Sequence, residues 1–218
     1  MKRILTLLTL LLCSMGIAQA ANANDPYHLK PAKNTVALTF DDGPDINYTK
    51  KVLAVLKKYN IKATFFVLGG NAKQYPDLIK AILADGHNIE NHSMTHPMLT
   101  RLNEQQLQYQ IGGTNKIIKQ LTGKEPVCLR PPYGAYNKQV KAVAAANGLQ
   151  VINWDLNSFD YERRGTDKLV AWVTKKAGPG SVILMHDGGP RQQTVDALPQ
   201  IIEYYKSRGI GFSQICYQ

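Results

Sequence analysis

The 218-residue chain has no internal repeat, no low-complexity tract and no linker-like stretch, which excludes solenoids and strings of modules. It has no apolar run long enough to cross a bilayer: the longest, residues 4–12, is about half of what a span needs. Acids are few, 16 Asp and Glu against 26 Lys and Arg, so the formal charge is +10. Even so, no basic run is interleaved with aromatics, which argues against a nucleic-acid partner. Cysteine is scarce too, with three residues in all. Cys13 follows Leu10-Leu11-Leu12, which lack the small residue expected before a lipidated cysteine, so a lipoprotein is not indicated. Cys128 and Cys216 remain. In an oxidising compartment they pair if the fold brings them together, and two buried free thiols would be equally ordinary.

What is present begins with the first 20 residues. Lys2 and Arg3, the apolar run and Ala18-Gln-Ala20 together read as a secretory signal cut near Ala20. The expectation is an exported protein, periplasmic or secreted, whose mature chain starts near Ala21. Losing Lys2 and Arg3 lowers the charge from +10 to +8, which suits either a solubilising surface or attraction to an acidic polymer or wall. Residues 21–34 are polar and read as an extended arm. The segment 35–218 has the length of one domain with a full core.

Within that domain, strand-like runs at 36–40, 64–68, 88–91, 127–130, 151–155, 181–186 and 211–215 alternate with helical stretches. The stretches are 48–59, 72–84, 104–121, 138–146, 167–176 and 195–207. Gly86, Gly123, Gly148, Gly178 and Gly209 stand just past five of the helices, where a left-handed residue commonly ends one. This alternation predicts a mostly parallel sheet covered by helices, either a nearly closed barrel or an open doubly wound sheet. Asp41 and Asp42, His92, Arg130, Asp155 and His186 all follow expected strands. Carboxyl ends of strands are where barrel enzymes build their sites, and that favours the barrel.

The chemistry carried there is that of a metal-assisted hydrolase. His92 and His96 have the four-residue spacing that offers two imidazoles to one ion, and Pro97 favours a turn over a helix at that point. With Asp42 they form a two-nitrogen, one-oxygen set that suits zinc best, with cobalt, nickel or manganese also fitting. Gly43-Pro44 ends the first strand at once and lets the turn aim both carboxylates inward, Asp42 as ligand and Asp41 as base. Arg130 is placed to keep Asp41 ionised. His186 fits a general acid, and Leu184 fits the apolar wall for an acetyl methyl.

Five motifs in order resemble the polysaccharide deacetylases with a NodB-homology domain, carbohydrate esterase family 4. They are Thr39-Phe-Asp-Asp-Gly43, His92-Ser-Met-Thr-His96, Arg130-Pro-Pro-Tyr133, Asn157-Ser-Phe-Asp-Tyr161 and Leu184-Met-His-Asp187. The resemblance implies a distorted (β/α)7 barrel and the base, ligand and acid roles given above. It also implies that the backbone amide of Tyr133 helps hold the oxyanion and that Asp160 tunes His186. The fourth motif departs from the family's Asp-x-x-Asp-Trp, with Asn157 and Tyr161 in the outer places, so Tyr161 reshapes the pocket wall. The implied substrate is an acetylated polysaccharide, an N-acetylated amino-sugar polymer of peptidoglycan or chitin type. An O-deacetylase such as an acetylxylan esterase, a small-amide C–N hydrolase and an inactive carbohydrate-binding homologue are the competing readings.

Overall fold

A computed structural model describes residues 27–217. The expected signal and the first part of the expected arm lie outside the described residues. The described residues contain strands β1 (Thr35–Asp41), β2 (Thr64–Val67), β3 (Asn88–Asn91), β4 (Cys128–Leu129), β5 (Gln150–Val151), β6 (Leu156–Asn157), β7 (Val182–His186) and β8 (Gly211–Phe212). The helices are α1 (Thr49–Lys58), α2 (Gly69–Gln74), α3 (Pro76–Ala84), α4 (Glu104–Gln110), α5 (Gly112–Thr122), α6 (Lys138–Ala146), α7 (Thr166–Lys176) and α8 (Gln192–Lys206). No described helix is long and apolar enough to cross a membrane.

All the ladders are parallel, and the sheet runs β5-β4-β3-β2-β1-β7-β6, with β8 paired to the first two residues of β1. The two-residue period of a strand divides each element between two faces. Val36, Leu38 and Phe40 of β1, Phe65 and Val67 of β2, and Ile183 and Met185 of β7 join one apolar cluster with Leu56, Ile79, Val173 and Ile201 of the helices. Ala37, Phe66 and Val182 face the barrel interior, in a second cluster with Ile215 and both cysteines. On that same inner face, two or four residues further along their strands, come Asp41, Leu184 and His186. The motifs therefore meet because they share one parity of the strand repeat and one end of a parallel sheet.

β5 and β6 are consecutive in the chain yet occupy opposite edges of the sheet. The four residues between them reach at most about 18 Å, so the sheet must curl until its edges nearly meet. The result is the expected distorted barrel with seven strands around it, but two of the seven differ from expectation. The run 151–155 is not one strand: Val151 ends β5, residues 152–155 cross the gap, and β6 starts at Leu156. The expected last strand, 211–215, shrinks to β8 and lies off the main path. Asp155 is likewise not at the site. It precedes β6, accepts the backbone N–H of Val182 at 2.9 Å, and pairs with Lys30.

Two expected helices are each broken in two. Pro76 cannot continue a helix and instead starts α3, with Tyr75 in a non-helical conformation (ψ 60°). The run 104–121 breaks at Ile111 (φ −94°, ψ −62°), just before Gly112, which packs where a Cβ would come within 2.7 Å of the Asn147 side chain. Four of the five glycines expected to end helices are left-handed, but Gly178 is not; α7 ends instead at an extended Ala177 (φ −98°, ψ 142°). Cys128 and Cys216 form a disulfide, which resolves the open alternative in favour of pairing and ties β4 to the C-terminal segment. Just below it, Glu90 accepts the N–H groups of Val127 and Cys128 at 2.8 and 2.6 Å, and burial pushes its carboxyl up to about 8.

Candidate active site

Asp42 leaves β1 in the left-handed region (φ 72°), which breaks the strand alternation and turns its carboxylate to the same side as that of Asp41. His92 follows β3, and its Nδ1–H donates to the Arg130 carbonyl at 2.6 Å, so Nε2 is left to face the pocket. Between His92 and His96 the chain forms a turn, as Pro97 suggested, with Ser93 and His96 at φ 73° and 62°. Buried amides hold this turn. Gln110, at the end of α4, accepts the N–H groups of Met94 and Thr95 at 3.0 Å each, and Asn91 accepts that of Ser93 at 2.8 Å. Asn91 in turn donates to the Ile111 carbonyl and to Asn115. The break in the expected helix falls just after Gln110, whose amide meets the histidine turn, while the Ile111 carbonyl accepts both the Asn91 amide and the Asn115 backbone N–H at 3.1 Å.

These constraints bring three ligand atoms together. Asp42 Oδ1 lies 3.5 Å from His92 Nε2 and 3.3 Å from His96 Nε2, and one ligand atom of each residue falls within 4.8 Å of the others. A tetrahedral zinc with ligands at about 2.0–2.2 Å would separate its ligand atoms by about 3.3–3.6 Å, so the trio fits such an ion. A second observation agrees: Asp42 Oδ1 is buried with no hydrogen-bond partner. Burial opposes ionisation of Asp42, but the close approach of His92, with His186 and His96 behind, holds the carboxyl well below its usual range. Burial, reinforced by His92, pulls His96 down and favours the neutral ring that a metal needs.

Two further pairs flank the trio. Asp41 Oδ1 accepts from Arg130 at 2.7 Å, and its Oδ2 lies 3.7 Å from His92 Nε2. Arg130 is fully buried; it also donates to Thr39 at 2.8 Å and lies 4.0 Å over the ring of Phe66. Burial pulls the guanidinium down and Asp41 opposes that shift. Across the pocket, His186 Nδ1 bonds Asp160 Oδ1 at 2.7 Å, while Asp160 Oδ2 accepts the His186 backbone N–H and the Thr194 hydroxyl. Burial disfavours charge on both members, but the bond and mutual attraction outweigh it, raising His186 and lowering Asp160.

The cavity between the pairs is about 400 Å³; Tyr133, Leu184 and Tyr161 line it as expected, and Asn157 joins them. Tyr133 is left-handed (φ 61°), and its ring meets that of His96 edge-on at 4.6 Å. Tyr161 meets His186 edge-on at 5.4 Å, and its hydroxyl accepts a 3.3 Å bond from Asn157, so the two departures from the fourth motif contact each other. Trp154 and Arg191 also line the cavity and were not singled out in the sequence. Trp154 was hidden in the run taken for a single strand. Arg191 follows the Asp187-Gly-Gly turn, a hint that it stands beside a sharp loop at the end of β7.

A family model described as polysaccharide deacetylase matches residues 28–152. Among curated relatives, a peptidoglycan-N-acetylglucosamine deacetylase of Bacillus cereus is 41% identical over 86% of this chain and 67% of its own. A chitooligosaccharide deacetylase of Rhizobium leguminosarum bv. trifolii is 37% identical over 83% of this chain and 89% of its own. Of solved structures, a peptidoglycan N-acetylglucosamine deacetylase in complex with 4-naphthalen-1-yl-N-oxidanyl-benzamide superposes with a TM-score of 0.81. It is 39% identical and covers 86% of this chain and 91% of its own. A carbohydrate esterase family 4 pseudoenzyme from Bacillus anthracis, 31% identical, reaches 0.79 over 85% of this chain and 65% of its own. With matching motifs, barrel and relatives, the chain belongs to the polysaccharide deacetylase family, the NodB-type enzymes of carbohydrate esterase family 4.

Proposed function

We propose that this protein is an exported, metal-dependent hydrolase that removes N-acetyl groups from an amino-sugar polymer of peptidoglycan or chitin type. The observation that carries the reading is the convergence of Asp42, His92 and His96 in one cavity, with the Asp41 carboxylate on one side and the bonded His186–Asp160 pair on the other. A divalent ion held by the three, zinc fitting best, would polarise the acetyl carbonyl and make water a better nucleophile at neutral pH.

The protein's own groups supply the rest. Arg130 occupies Asp41 Oδ1 and leaves Oδ2, on the His92 side, to take the proton of the attacking water. His186 is tied through Nδ1 to Asp160, so its Nε2 can deliver a proton to the departing nitrogen, without which the amine cannot leave. Leu184 walls the methyl group, and the Tyr133 amide is assigned to the oxyanion. Export is supported by the signal-like first 20 residues and by a disulfide, which persists in an oxidising compartment.

The test is acetate release by purified protein from chitin oligomers, peptidoglycan and acetylxylan, each with added zinc or chelator. We expect chelator-sensitive release from the N-acetylated polymers that leaves free amines. Release from acetylxylan alone would make the protein an O-deacetylase. Retained metal with no release from any polymer would place it beside the family's pseudoenzymes.

A further inference from the structure

The loop after β7, Asp187-Gly-Gly-Pro-Arg191, has no part in the chemistry above, yet it is built tightly against the ligand turn. The N–H groups of Asp187 and Gly188 donate to the Asp41 carbonyl at 3.1 and 3.3 Å. Gly188 lies so close to the Asp42 backbone that any side chain there would collide with it, and Asp187 fills the space beside Gly43. Gly189 is left-handed (φ 73°), and a Cβ on it would lie 3.8–3.9 Å from the Arg191 guanidinium. Arg191 is thereby folded back over its own loop and into the cavity wall, with its side chain only 15% exposed.

What separates Arg191 from the other cations of the cavity is its lack of a close acid. Arg130 and His186 each hold a carboxylate at 2.7 Å. Arg191 reaches only the Pro190 carbonyl at 3.3 Å, its nearest carboxylate oxygen is Asp42 Oδ2 at 3.9 Å, and its Nε is buried with no acceptor. The terminal nitrogens of Arg191 thus hold no short bond to an acid, and a carboxylate entering the cavity would supply one. Once Asp42 is committed to a cation, even that distant charge no longer offsets Arg191. The net charge of +10 favours anionic polymers over neutral ones as well.

We infer that Arg191 is a specificity-determining residue that takes a carboxylate carried by the substrate close to the scissile acetamide. Because Arg191 stands 3.9 Å from Asp42, the acid must lie near the reacting group, where a short arm on a ring carbon beside the acetamido carbon would put it. A planar, two-pronged donor suits a carboxylate in that place. The inference rests on the deacetylase reading and refines its substrate.

The experiment compares four oligosaccharides of equal length. They are chitotetraose, a peptide-free peptidoglycan tetrasaccharide with free lactyl carboxylates, the same with methyl-esterified carboxylates, and the same with its stem peptides attached. Acetate release gives KM, and calorimetry on the Asp41→Asn variant gives Kd without turnover. For the wild type we expect the free acid to bind about ten- to a hundredfold more tightly than the ester, the range of a hydrogen bond to a charged group. Half-molar salt should shrink the ratio, Arg191→Lys should retain part of it, and Arg191→Gln should bring it close to one. If only the peptide-bearing oligomer binds tightly and Arg191→Gln abolishes this, the acid read is on the peptide, and the sugar-arm assignment is overturned. A wild-type acid-to-ester ratio near one, or a ratio that survives Arg191→Gln, overturns the inference. Absence of acetate release from all four would overturn the deacetylase reading, while an Arg191-dependent calorimetric preference would still support the carboxylate site.

Discussion

Asp160 and Glu90 are both almost fully buried carboxyls in one barrel, and they behave in opposite ways. At the carboxyl end of the strands, Asp160 faces His186, and that partner outweighs burial and holds the acid ionised. At the other end, Glu90 has only two backbone N–H groups and the amide of Asn88, and burial prevails, pushing it up to about 8. Neutral donors reduce the cost of a buried charge; an opposite charge at bond distance reverses the balance. The same contrast separates the two ends of the molecule. The upper end pairs charges and keeps open valences facing a cavity. The lower end uses its polar groups on backbone and fastens itself with a disulfide.

The sharpest way to break this contrast is at the upper end. Asp41→Asn should reduce turnover by about 10²–10⁴-fold, because an amide cannot accept the proton of water. Metal content measured by elemental analysis should be nearly unchanged, whereas His92→Ala, which removes one of three ligands, should lose the metal. Equal metal loss in both would mean that Asp41 is a ligand rather than the base. At the lower end, replacing Cys128 and Cys216 by Ser should cost about 2–5 kcal/mol in equilibrium denaturation, given a closed loop of nearly ninety residues. The kcat should hardly move, and a collapse of kcat at full folding would show that the two ends are coupled.

Glu90 predicts a pH effect of known sign. Its folded value of about 8 lies above the ordinary 4.5, so the unfolded chain gives up this proton first. The associated stability is complete below about 4.5, falls as pH rises towards about 8, and is then flat; the total is a few kcal/mol, about 1.4 per unit. Glu90→Gln should flatten that part of the stability–pH curve, and an unchanged slope would assign the dependence to other groups. The smallest expected effect is at Asp160. Asp160→Asn removes the group that raises His186, so the histidine should lose its proton at lower pH. The alkaline limb of the pH–rate profile should then move to lower pH at unchanged metal content, and an unmoved limb would remove His186 from the role of acid.

The site was legible in the sequence because parallel strands deliver their carboxyl ends to one place. Asp41, Asp42, His92, Arg130 and His186 needed only that rule and the two-residue period. Asp155 followed the same rule and failed, because an apolar run does not show that the chain has left one sheet edge and is crossing to the other. The supports were harder to see. Gln110, Asn91 and Asn115 look like ordinary polar residues in the sequence, and only tertiary packing reveals that they are buried and hold the histidine turn. Arg191 was hidden for a related reason, since its use depends on how far two glycines let a loop fold back.

The disulfide has a topological consequence. Residues 128–216 form a covalent ring that contains Arg130, Tyr133, Asp160, Tyr161, Leu184, His186 and Arg191, while Asp41, Asp42, His92 and His96 lie on the strand of chain leading into it. The exposed turn at 161–165 is the kind of segment a protease nicks. A single cut there opens the ring into a branched chain but releases no piece, so the acid half of the cavity stays tethered to the metal half. A cut between His96 and Cys128 has no such safeguard and divides the molecule in two.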